Sequence, residues 1–359
     1  MNQIHNPIVS IIIPHHNNYQ ILKGCIDSLN KIDYINHEII IVDDSSNDNS
    51  IQKIKDEYNN LIIKKSSKRL GYAGACNLGS KISKGHYLLF LNNDTIHKPD
   101  FINHLINKIN KNQKIVAVQP KIKNIHNKDC FDYAGASGGF IDYLVFPFAR
   151  GRIFNSIEKD TGQYNNSIKV FWTSGTAFIT KKNVFEQLGG FDDKLFAHME
   201  EIDYCWKCYL AGYECWVEPK SVIYHYGGQT LPYDSSRKTY FNHRNSLILL
   251  LTNYSLGLSL YLLPIRLLFE IISSFNDFIK FKFKHFFAHY MAIIFIVFNV
   301  KFLLQRRKKI NKIRIITDKE ILDQKIIFNE SIVKKYFIFR KVKFNDIMCA
   351  EEETRTLTP

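Results

Sequence analysis

"HYLLFLNNDT", residues 86–95, joins an apolar strand to a polar exit. Leu88 to Leu91 form an unbroken apolar run, which is typical of a strand covered on both faces. Asn92, Asn93 and Asp94 follow without a break. These three residues can form a polar turn that closes the strand. They can equally hold a charged ligand, because carboxylate and amide oxygens are ligands for hard divalent cations.

Four further apolar, β-branched runs predict strands on either side of this stretch. They lie at "IVSIII" (8–13), "HEIIIVDDSS" (37–46), "NLIIKK" (60–65) and "KIVAVQP" (114–120). Helical spacing separates them, over 20–31, about 49–58, and within "GYAGACNLGSKIS" and "DFINHLINKIN". This alternation predicts βαβ units, and hence an α/β fold with a mainly parallel sheet flanked by helices.

Three of the predicted strand ends are polar, at Pro14 to Asn18, Asp43 to Ser46 and Asn92 to Thr95. In open α/β sheets, ligands bind beyond the carboxyl ends of the strands. If these strands are neighbours, their ends line one crevice. Asp43 and Asp44 could accept hydrogen bonds from a ribose hydroxyl or a base N–H there, or could cap the following helix.

The second half of the predicted domain is less regular. Residues 120–175 are predicted to form loops, and the strand–helix pattern resumes at 173–192. "HMEEIDYCWKCYLAGY" (198–213) predicts a further helix, and "ECWVEPKSVIYHYGG" (214–228) predicts two short strands separated by Pro219.

Three carboxylates, Glu200, Glu201 and Asp203, open the helix predicted at 198–213. On a helix, Glu200 and Asp203 share a face, and Glu201 points about 100° away from Glu200. Negative charge is favourable in a first helical turn, so the group can be structural. A desolvated carboxylate with a raised pKa can also act as a general base. His225 follows an apolar strand and is either a packed residue or a metal ligand.

The composition restricts the class of protein. The chain has 359 residues, is 45% hydrophobic and carries a net charge of +14, which allows a large core and a basic surface. No motif for nucleic-acid binding is recognised. Seven scattered cysteines suggest free thiols in a reducing compartment, and Cys205 and Cys208 lie inside a helical pattern, unlike a metal or redox pair. The N-terminus does not resemble a signal peptide, so a cytoplasmic location is expected.

The C-terminal region combines apolar segments with basic residues. Residues 247–265 and 286–300 are apolar, and 301–346 carry 14 Lys or Arg against 5 Asp or Glu. The lysines of "KFKFKH" between the apolar segments argue against two spanning helices, because they would have to cross the membrane. We expect this region to lie on a membrane surface, with "RRKK" (306–309) facing anionic headgroups. A buried helical hairpin is the alternative.

Taken together, eight stretches resemble the family 2 glycosyltransferases, inverting enzymes of GT-A fold, and in particular their rhamnosyltransferase-like branch. In chain order they are "VSIIIPHHN", "IIIVDDSSNDNS", "LGYAGACNLG", "LLFLNNDT", "TSGTAFITKKNVFEQLGGFD", "MEEIDYCWKCYLAGY", "YHYGGQT" and "YFNHRNSLILL". The resemblance covers roughly residues 8–250, and the common order makes it specific although each motif alone is weak.

The resemblance implies a role for each matching position. Asp94 and His225 would bind a divalent cation, Mn²⁺ or Mg²⁺, although Asn92 replaces the first Asp of the family's DxD-type motif. Glu201 would be the catalytic base, with Glu200 beside it. The residues implied in nucleotide binding are Pro14, Asn17, Asp43, Asp44, Arg69, Gly71, Gly74, Asn92 and Asn93. Those implied in acceptor binding are Trp172, Ser174, Gly175 and Asp203.

The implied activity is transfer of a sugar from a dTDP-, UDP- or GDP-linked donor to a hydroxyl of a glycan or lipid-linked acceptor. It would serve cell-surface polysaccharide or glycoconjugate synthesis at the inner face of the cell membrane. The expected organisation is a GT-A domain over 1–245, a membrane-associated helical region over 246–346 and a disordered tail over 347–359. The alternatives are a polyprenyl-phosphate sugar synthase and a non-catalytic sugar-nucleotide binder.

Overall fold

The computed structural model describes residues 6–227 and 234–348, and within them a nine-stranded sheet forms the centre of the molecule. The strands are β1 (Val9–His15), β2 (His37–Asp43), β3 (Leu61–Lys65), β4 (Tyr87–Leu91), β5 (Thr95–His97), β6 (Ile115–Asn124), β7 (Gly139–Asp142), β8 (Pro147–Ala149), β9 (Arg152–Ile153), β10 (Ser156–Ile157), β11 (Ile168–Lys169), β12 (Ala177–Lys181), β13 (Glu214–His225) and β14 (Ile327–Phe328). The helices are α1 (Tyr19–Leu29), α2 (Ser50–Glu57), α3 (Gly71–Ile82), α4 (Phe101–Ile109), α5 (Lys182–Gln187), α6 (Glu200–Leu210), α7 (Ser236–Asn253), α8 (Leu256–Ile279), α9 (Phe283–Phe298), α10 (Val300–Ile313), α11 (Asp318–Asp323) and α12 (Ile332–Phe337).

The central sheet has the order β11-β13-β6-β12-β4-β1-β2-β3, and β5 pairs with β13 beside this path. β1, β2, β3 and β4 are parallel to one another, as are β6 and β13. β12 lies antiparallel between β4 and β6. The predicted α/β sheet flanked by helices is therefore confirmed, as a mixed sheet in which the carboxyl ends of β1, β2 and β4 share one edge.

The apolar run of β1 is continuous because helices cover both faces of the sheet. Ile11 and Ile13 pack in one core with Leu22 of α1, and Ile12 packs in the other core with Ala75 of α3. Successive side chains of a strand point to opposite faces, so every position of such a strand is buried.

The predicted pair of strands around Pro219 is wrong, because Glu214–His225 is one strand. It pairs in parallel with β6, and the register shifts between Glu218 and Val222. An irregularity of this kind accommodates a proline, whose missing N–H would otherwise interrupt the ladder. The continuous strand carries His225 to the edge where β4 ends.

Residues 120–175 are more regular than predicted. They include a second sheet of order β10-β9-β8-β7-β14, in which β14 comes from the C-terminal region. The aromatic rings of Phe140 and Phe148 pack against Phe344. Strands of two to four residues leave little periodicity to recognise in a sequence.

The expected domain boundary at residue 245 falls inside α7 and is not a break in the structure. The apolar segment 247–265 is also divided, since α7 ends at Asn253 and Ser255 caps α8. Because β14 and Phe344 pack into the second sheet, the C-terminal region shares the core of the rest of the chain. Ile347 is buried as well, whereas 349–359 of the expected tail lie outside the described residues.

Helices α8 and α9 present an exposed apolar face. Among the described residues, α8 is one helix that is long and apolar enough to cross a membrane. Helices α9 and α10 meet at a bend of 74°, and they would provide a second crossing only if together they formed a single span. Only 22% of the most apolar window of α8 is buried. The exposed apolar face includes Leu260, Leu268, Ile271, Ile272, Phe275, Phe287, Met291 and Ile294.

The cysteines of "CWKC" are buried packing residues. Cys205 and Cys208 lie within α6, and all six cysteines of the described residues are free thiols. The backbone N–H of Thr173 donates a hydrogen bond to the Cys205 sulfur over 3.3 Å.

Candidate active site

The turn after β4 is built from the residues that raised the first question. The N–H of Asn92 donates to the Thr176 carbonyl (2.9 Å), and the Thr95 hydroxyl donates to the Asn92 carbonyl (2.7 Å). The Asn93 amide nitrogen lies 2.8 Å from His15 Nδ1. These contacts form the polar turn and also fix Asp94, whose side chain is 2% exposed. The interpretation as a polar turn is therefore confirmed, and the turn holds the Asp94 carboxylate in a buried position beside His225.

His225 lies between two carboxylates. Its Nε2 is 3.1 Å from Asp94 Oδ1, and its Nδ1 is 2.9 Å from Asp132 Oδ1. The contact with Asp94 follows from the topology, since β13 pairs with β5 and His225 stands opposite Thr95. Burial disfavours the charged imidazole, but the two carboxylates outweigh it and raise the pKa of His225 to about 10. The site thus attracts positive charge.

These residues fit a divalent cation. Asp94 Oδ1 and Asp132 Oδ2 are buried and accept no hydrogen bond of good geometry from the described residues. A cation beside Asp94 would use such an oxygen, together with the neutral imidazole nitrogen Nε2. Asp132 would then accept the Nδ1–H hydrogen bond that fixes the tautomer of a ligating histidine.

Asp132 is the residue of this cluster that the sequence analysis missed. It lies in "CFDYAGASGG", in a part of the chain predicted only as loop, and no strand or helix pattern points to it. A carboxylate within a glycine-rich segment was the available signal. Its side chain is fully buried, and its own oxygen Oδ1 also accepts a hydrogen bond from the N–H of Ala134 (2.7 Å).

Glu200 and Glu201 begin α6 immediately after a strained segment. Phe196, His198 and Met199 all have positive φ, at 65°, 67° and 73°. Such backbone conformations persist only where surrounding contacts enforce them, and they are frequent at functional sites. The segment turns the start of α6 toward the end of β4.

Both glutamates have raised pKa values because they are buried. Burial raises the pKa of Glu201 to about 7, opposed by hydrogen bonds from backbone amides that include Ile202 and Gly175. Burial and the neighbouring charge of Glu201 raise the pKa of Glu200 well above its usual value. A carboxylate with a pKa near 7 can take a proton from a hydroxyl at neutral pH.

One cavity of about 810 Å³ is lined by both the Asp94–His225 pair and the glutamates, whereas Asp132 lies behind His225 and is not part of the lining. Asp94, His225 and Glu201 line it, as do Asn92 and Glu200. The predicted acceptor residues Trp172, Ser174 and Gly175 also line it. Trp172 is at the same time a packing residue, because it is 5% exposed and its Nε1–H donates to the Phe140 carbonyl (2.8 Å).

The predicted nucleotide-binding residues divide into two groups, since Asn92 lines the cavity and the others lie around the neighbouring strand ends. Asp44 accepts hydrogen bonds from the N–H groups of Leu70 (2.6 Å) and Gly71 (3.1 Å), and Arg69 Nε lies 3.5 Å from it. The others outside the lining are Pro14, Asn17, Asp43, Gly74 and Asn93.

Gly71 joins this region to the strained segment. Its φ is +72°, and a Cβ there would lie 2.5 Å from the Phe196 carbonyl oxygen. A side chain is therefore excluded at this position. Asp43 has a local role, because it accepts a hydrogen bond from the N–H of Ser46 (2.8 Å).

Asp203 does not belong to the acceptor side of the cavity, contrary to the sequence expectation. Its side chain is fully buried, forms an ion pair with Arg306 of α10 and accepts a hydrogen bond from Asn253 (2.9 Å). Burial works against its charge, but Arg306 and Lys207 outweigh it and lower the pKa of Asp203. The helical face of Asp203 points toward α7 and α10, which the sequence could not reveal.

A family model described as "Glycosyl transferase family 2" matches residues 10–189. The chain belongs to this family. An uncharacterized glycosyltransferase of Rickettsia prowazekii is 35% identical over 132 residues, which are 37% of this chain and 37% of the relative. The chain thus spans well under half the length of that relative.

Solved structures of other proteins confirm the GT-A fold of this family member. GalNAc-T7 with UDP, GalNAc and Mn²⁺ has a TM-score of 0.55 and 19% identity, covering 69% of this chain and 48% of that protein. A mannosyltransferase from Pyrobaculum calidifontis, in complex with GDP-Man and Mn²⁺, has a TM-score of 0.51 and 14% identity, covering 82% and 88%.

Proposed function

We propose that this family 2 glycosyltransferase moves a sugar from a nucleotide-diphosphate donor to a hydroxyl group of a glycan or lipid-linked acceptor, with inversion at the anomeric carbon. The observation that carries the proposal is the cavity shared by Glu201 and the Asp94–His225 pair. In a displacement reaction, a base can activate the acceptor hydroxyl and a bound cation can stabilise the leaving diphosphate, so one cavity that holds both groups suits this reaction. The family and the Mn²⁺-bound neighbours support a nucleotide-sugar donor and a divalent cation.

Each group has a defined task in this proposal. Glu201 accepts the proton of the acceptor hydroxyl, and its pKa of about 7 keeps a large fraction ionised at neutral pH. Asp94 and His225, with Asn92 beside them, hold Mn²⁺ or Mg²⁺. When bound, the cation neutralises the negative charge of the diphosphate leaving group. The cavity walls at Trp172 and Gly175 orient the acceptor, and this lowers the entropic part of the activation barrier for the reaction between acceptor and donor.

We further propose that the exposed apolar face of α8 and α9 rests on a membrane, at its cytoplasmic side. Isolated apolar side chains are normal at a protein surface, but a continuous face of this size marks an interaction surface. Lys308 and Lys309 of the predicted "RRKK" group are exposed on α10, as is Lys301, and would face anionic headgroups. The two arginines of that group do not take part, because Arg306 is buried in ion pairs with Asp192 and Asp203, and Arg307 donates to backbone carbonyls of Leu251 and Tyr254. The membrane would bring a lipid-linked acceptor to the cavity, in cell-surface polysaccharide or glycoconjugate synthesis.

The test is product analysis with the full chain. The protein is incubated with dTDP-, UDP- and GDP-linked sugars, with and without Mn²⁺, and with sugar-hydroxyl or polyprenyl-phosphate acceptors. Transfer to a hydroxyl acceptor, with an inverted anomeric configuration by NMR, supports the proposal. If the donor that the protein uses is dTDP-rhamnose, the result also supports the rhamnosyltransferase-like form of the proposal. Transfer only to the lipid phosphate would favour a polyprenyl-phosphate sugar synthase. Donor binding without any turnover would favour a non-catalytic binder.

A further inference from the structure

Helices α7, α8 and α9 bring two histidines and a glutamate together, away from the proposed catalytic groups. His243 belongs to α7, Glu270 to α8 and His289 to α9. One donor atom of each residue lies within 4.8 Å of the donor atoms of the other two. The side chains of Glu270 and His289 are 0% and 1% exposed, and that of His243 is 20% exposed. These three residues are called the α7–α9 cluster below.

Both imidazoles of the cluster point to the same carboxylate oxygen. His243 Nδ1 and His289 Nδ1 each lie 2.8 Å from Glu270 Oε2, and His243 Nδ1 is also 2.9 Å from Oε1. The other contact of Oε1 is an ion pair with Arg266 Nη1 (2.5 Å). Because Arg266 holds the carboxylate at Oε1, Oε2 stays directed toward the two nitrogens.

His289 has too few protons for its two carboxylate neighbours while it is neutral. Its Nε2 lies 3.3 Å from Asp277 Oδ2, on the side opposite Glu270. A neutral imidazole has a single N–H. When this N–H donates to Asp277, the Nδ1 lone pair faces the lone pairs of Glu270 Oε2 across 2.8 Å. A cation is then needed between the two atoms, and this cation is either a second proton on His289 or a metal ion.

The charge states of His243 and Glu270 suit a metal ion. Burial lowers the pKa of His243, and Glu270 raises it by less, so this imidazole is neutral at pH 7. Burial opposes the charge of Glu270, but Arg266 and His243 outweigh it and hold the pKa of Glu270 well below its usual range. A neutral imidazole and an ionised carboxylate are the forms in which these side chains ligate metals.

Two imidazole nitrogens and one carboxylate oxygen match zinc better than Mg²⁺ or Mn²⁺, which prefer oxygen ligands. Zinc bonds of about 2.0–2.2 Å place tetrahedral ligands roughly 3.3 Å apart, so each Nδ1 has to move from Oε2 by only about half an ångström. His243 lines the cavity, which gives the ion a path of entry and a water molecule as its fourth ligand.

We infer that His243, Glu270 and His289 bind a zinc ion through the two Nδ1 atoms and Oε2. A metal-ligating histidine usually donates its other ring N–H to a carboxylate, and Asp277 is placed to accept that of His289. The ion joins α7 to α8 and α9, the two helices that carry the exposed apolar face. This site goes beyond the proposed sugar transfer, and its residues are not those expected to hold the cation at Asp94.

The test is zinc binding to the full chain after removal of metals with a chelator. Wild-type protein is expected to bind one Zn²⁺ per chain tightly and to gain thermal stability from it. Co²⁺ in the same site should give the visible absorption bands of tetrahedral coordination. His289→Gln and Glu270→Gln should each weaken zinc binding by about a hundredfold or more, because loss of a partner behind a ligand already costs about 10- to 100-fold.

His285→Gln is the matched control. His285 lies one turn before His289 in α9, but its Nδ1 is 2.7 Å from the Thr239 hydroxyl oxygen and it is not part of the cluster. This variant should bind zinc like wild type. Asp94→Asn should also keep the tight zinc site, since the α7–α9 cluster does not include Asp94.

Circular dichroism shows which variants fold, and if His289→Gln does not, the more exposed His243→Gln carries the test. A cluster that holds an extra proton instead of a metal would bind no zinc at one equivalent, and this result would overturn the inference. Zinc binding that is unchanged in the folded cluster variants would overturn it as well. Loss of the tight zinc ion in Asp94→Asn would assign the ion to the Asp94–His225 pair and would equally reject the inference.

Discussion

The side-chain amide of Asn245 donates a hydrogen bond to the backbone carbonyl of His198 over 2.6 Å. The same amide nitrogen lies within hydrogen-bond distance of the carbonyls of Leu195 (3.0 Å) and Ala197 (3.1 Å). Arg244 adds hydrogen bonds to the Lys194 and Leu195 carbonyls (2.9 and 3.1 Å). These contacts from α7 hold the strained segment that leads into Glu200 and Glu201, and so Asn245 acts as a positioning residue.

Asn245→Ala is expected to lower kcat more than it raises KM for the donor. Without the amide, the segment can relax from its positive φ values, and Glu201 loses its fixed position relative to Asp94. Loss of buried hydrogen bonds costs about 1–3 kcal/mol, and the misplacement should reduce kcat by about tenfold to a hundredfold. Steady-state kinetics with the identified donor measures both constants.

Asn299→Ala provides the comparison for this prediction. Asn299 also donates a side-chain hydrogen bond to a backbone carbonyl, that of Phe295 (2.9 Å), but it lies at the end of α9 and outside the cavity lining. The Asn299→Ala variant should have a lower free energy of unfolding than wild type and the same kcat. Equal kcat values for both variants would show that Asn245 has only a structural role.

If His225 ligates the cation as proposed, Asp132→Asn is expected to weaken Mn²⁺ binding by about 10- to 100-fold, the usual effect of losing a carboxylate hydrogen-bonded to a ligating histidine. The variant keeps the shape of the side chain but no longer favours the His225 tautomer with a free Nε2. Titration of Mn²⁺ followed by electron paramagnetic resonance measures the affinity directly. Asp129→Asn changes an exposed carboxylate and should match wild type. An Asp132→Asn variant with wild-type Mn²⁺ affinity would show that Asp132 does not support His225 as a ligand.

The site shows what a single sequence can and cannot predict. Asp94, His225 and Glu201 follow strand ends or open a helix, and the topology brings them into one cavity. Asp132 and Asn245 act through contacts across 93 and 47 residues of chain, which no local pattern encodes. The same limit applies to the fold, where long apolar strands were predicted and the short strands of the second sheet were not.

The rate is expected to rise with pH through an apparent pKa near 7. As the proposed base, Glu201 must be ionised to accept a proton, and burial raises its pKa to about 7, so the base form is lost as pH falls below that value. Below pH 6, kcat should fall about tenfold per pH unit if Glu201 alone titrates. Glu201→Gln should lose nearly all turnover at every pH while retaining donor binding. A pH-independent rate between pH 5.5 and 8 would contradict this assignment.

Asp203→Ala is expected to destabilise the protein strongly without weakening donor binding in the fraction that folds. Asp203 and Arg306 are both buried, and removal of the carboxylate leaves the guanidinium with the partly exposed Asp192 as its remaining ion-pair partner. Breaking a buried ion pair in this way costs about 3–5 kcal/mol. The half-exposed pair of Lys23 and Asp27 is the control, because Asp27→Ala should cost about 1 kcal/mol or less. Denaturant unfolding of both variants measures the difference. If Asp203→Ala is as stable as Asp27→Ala but loses acceptor binding, Asp203 would return to the acceptor site where the sequence had placed it.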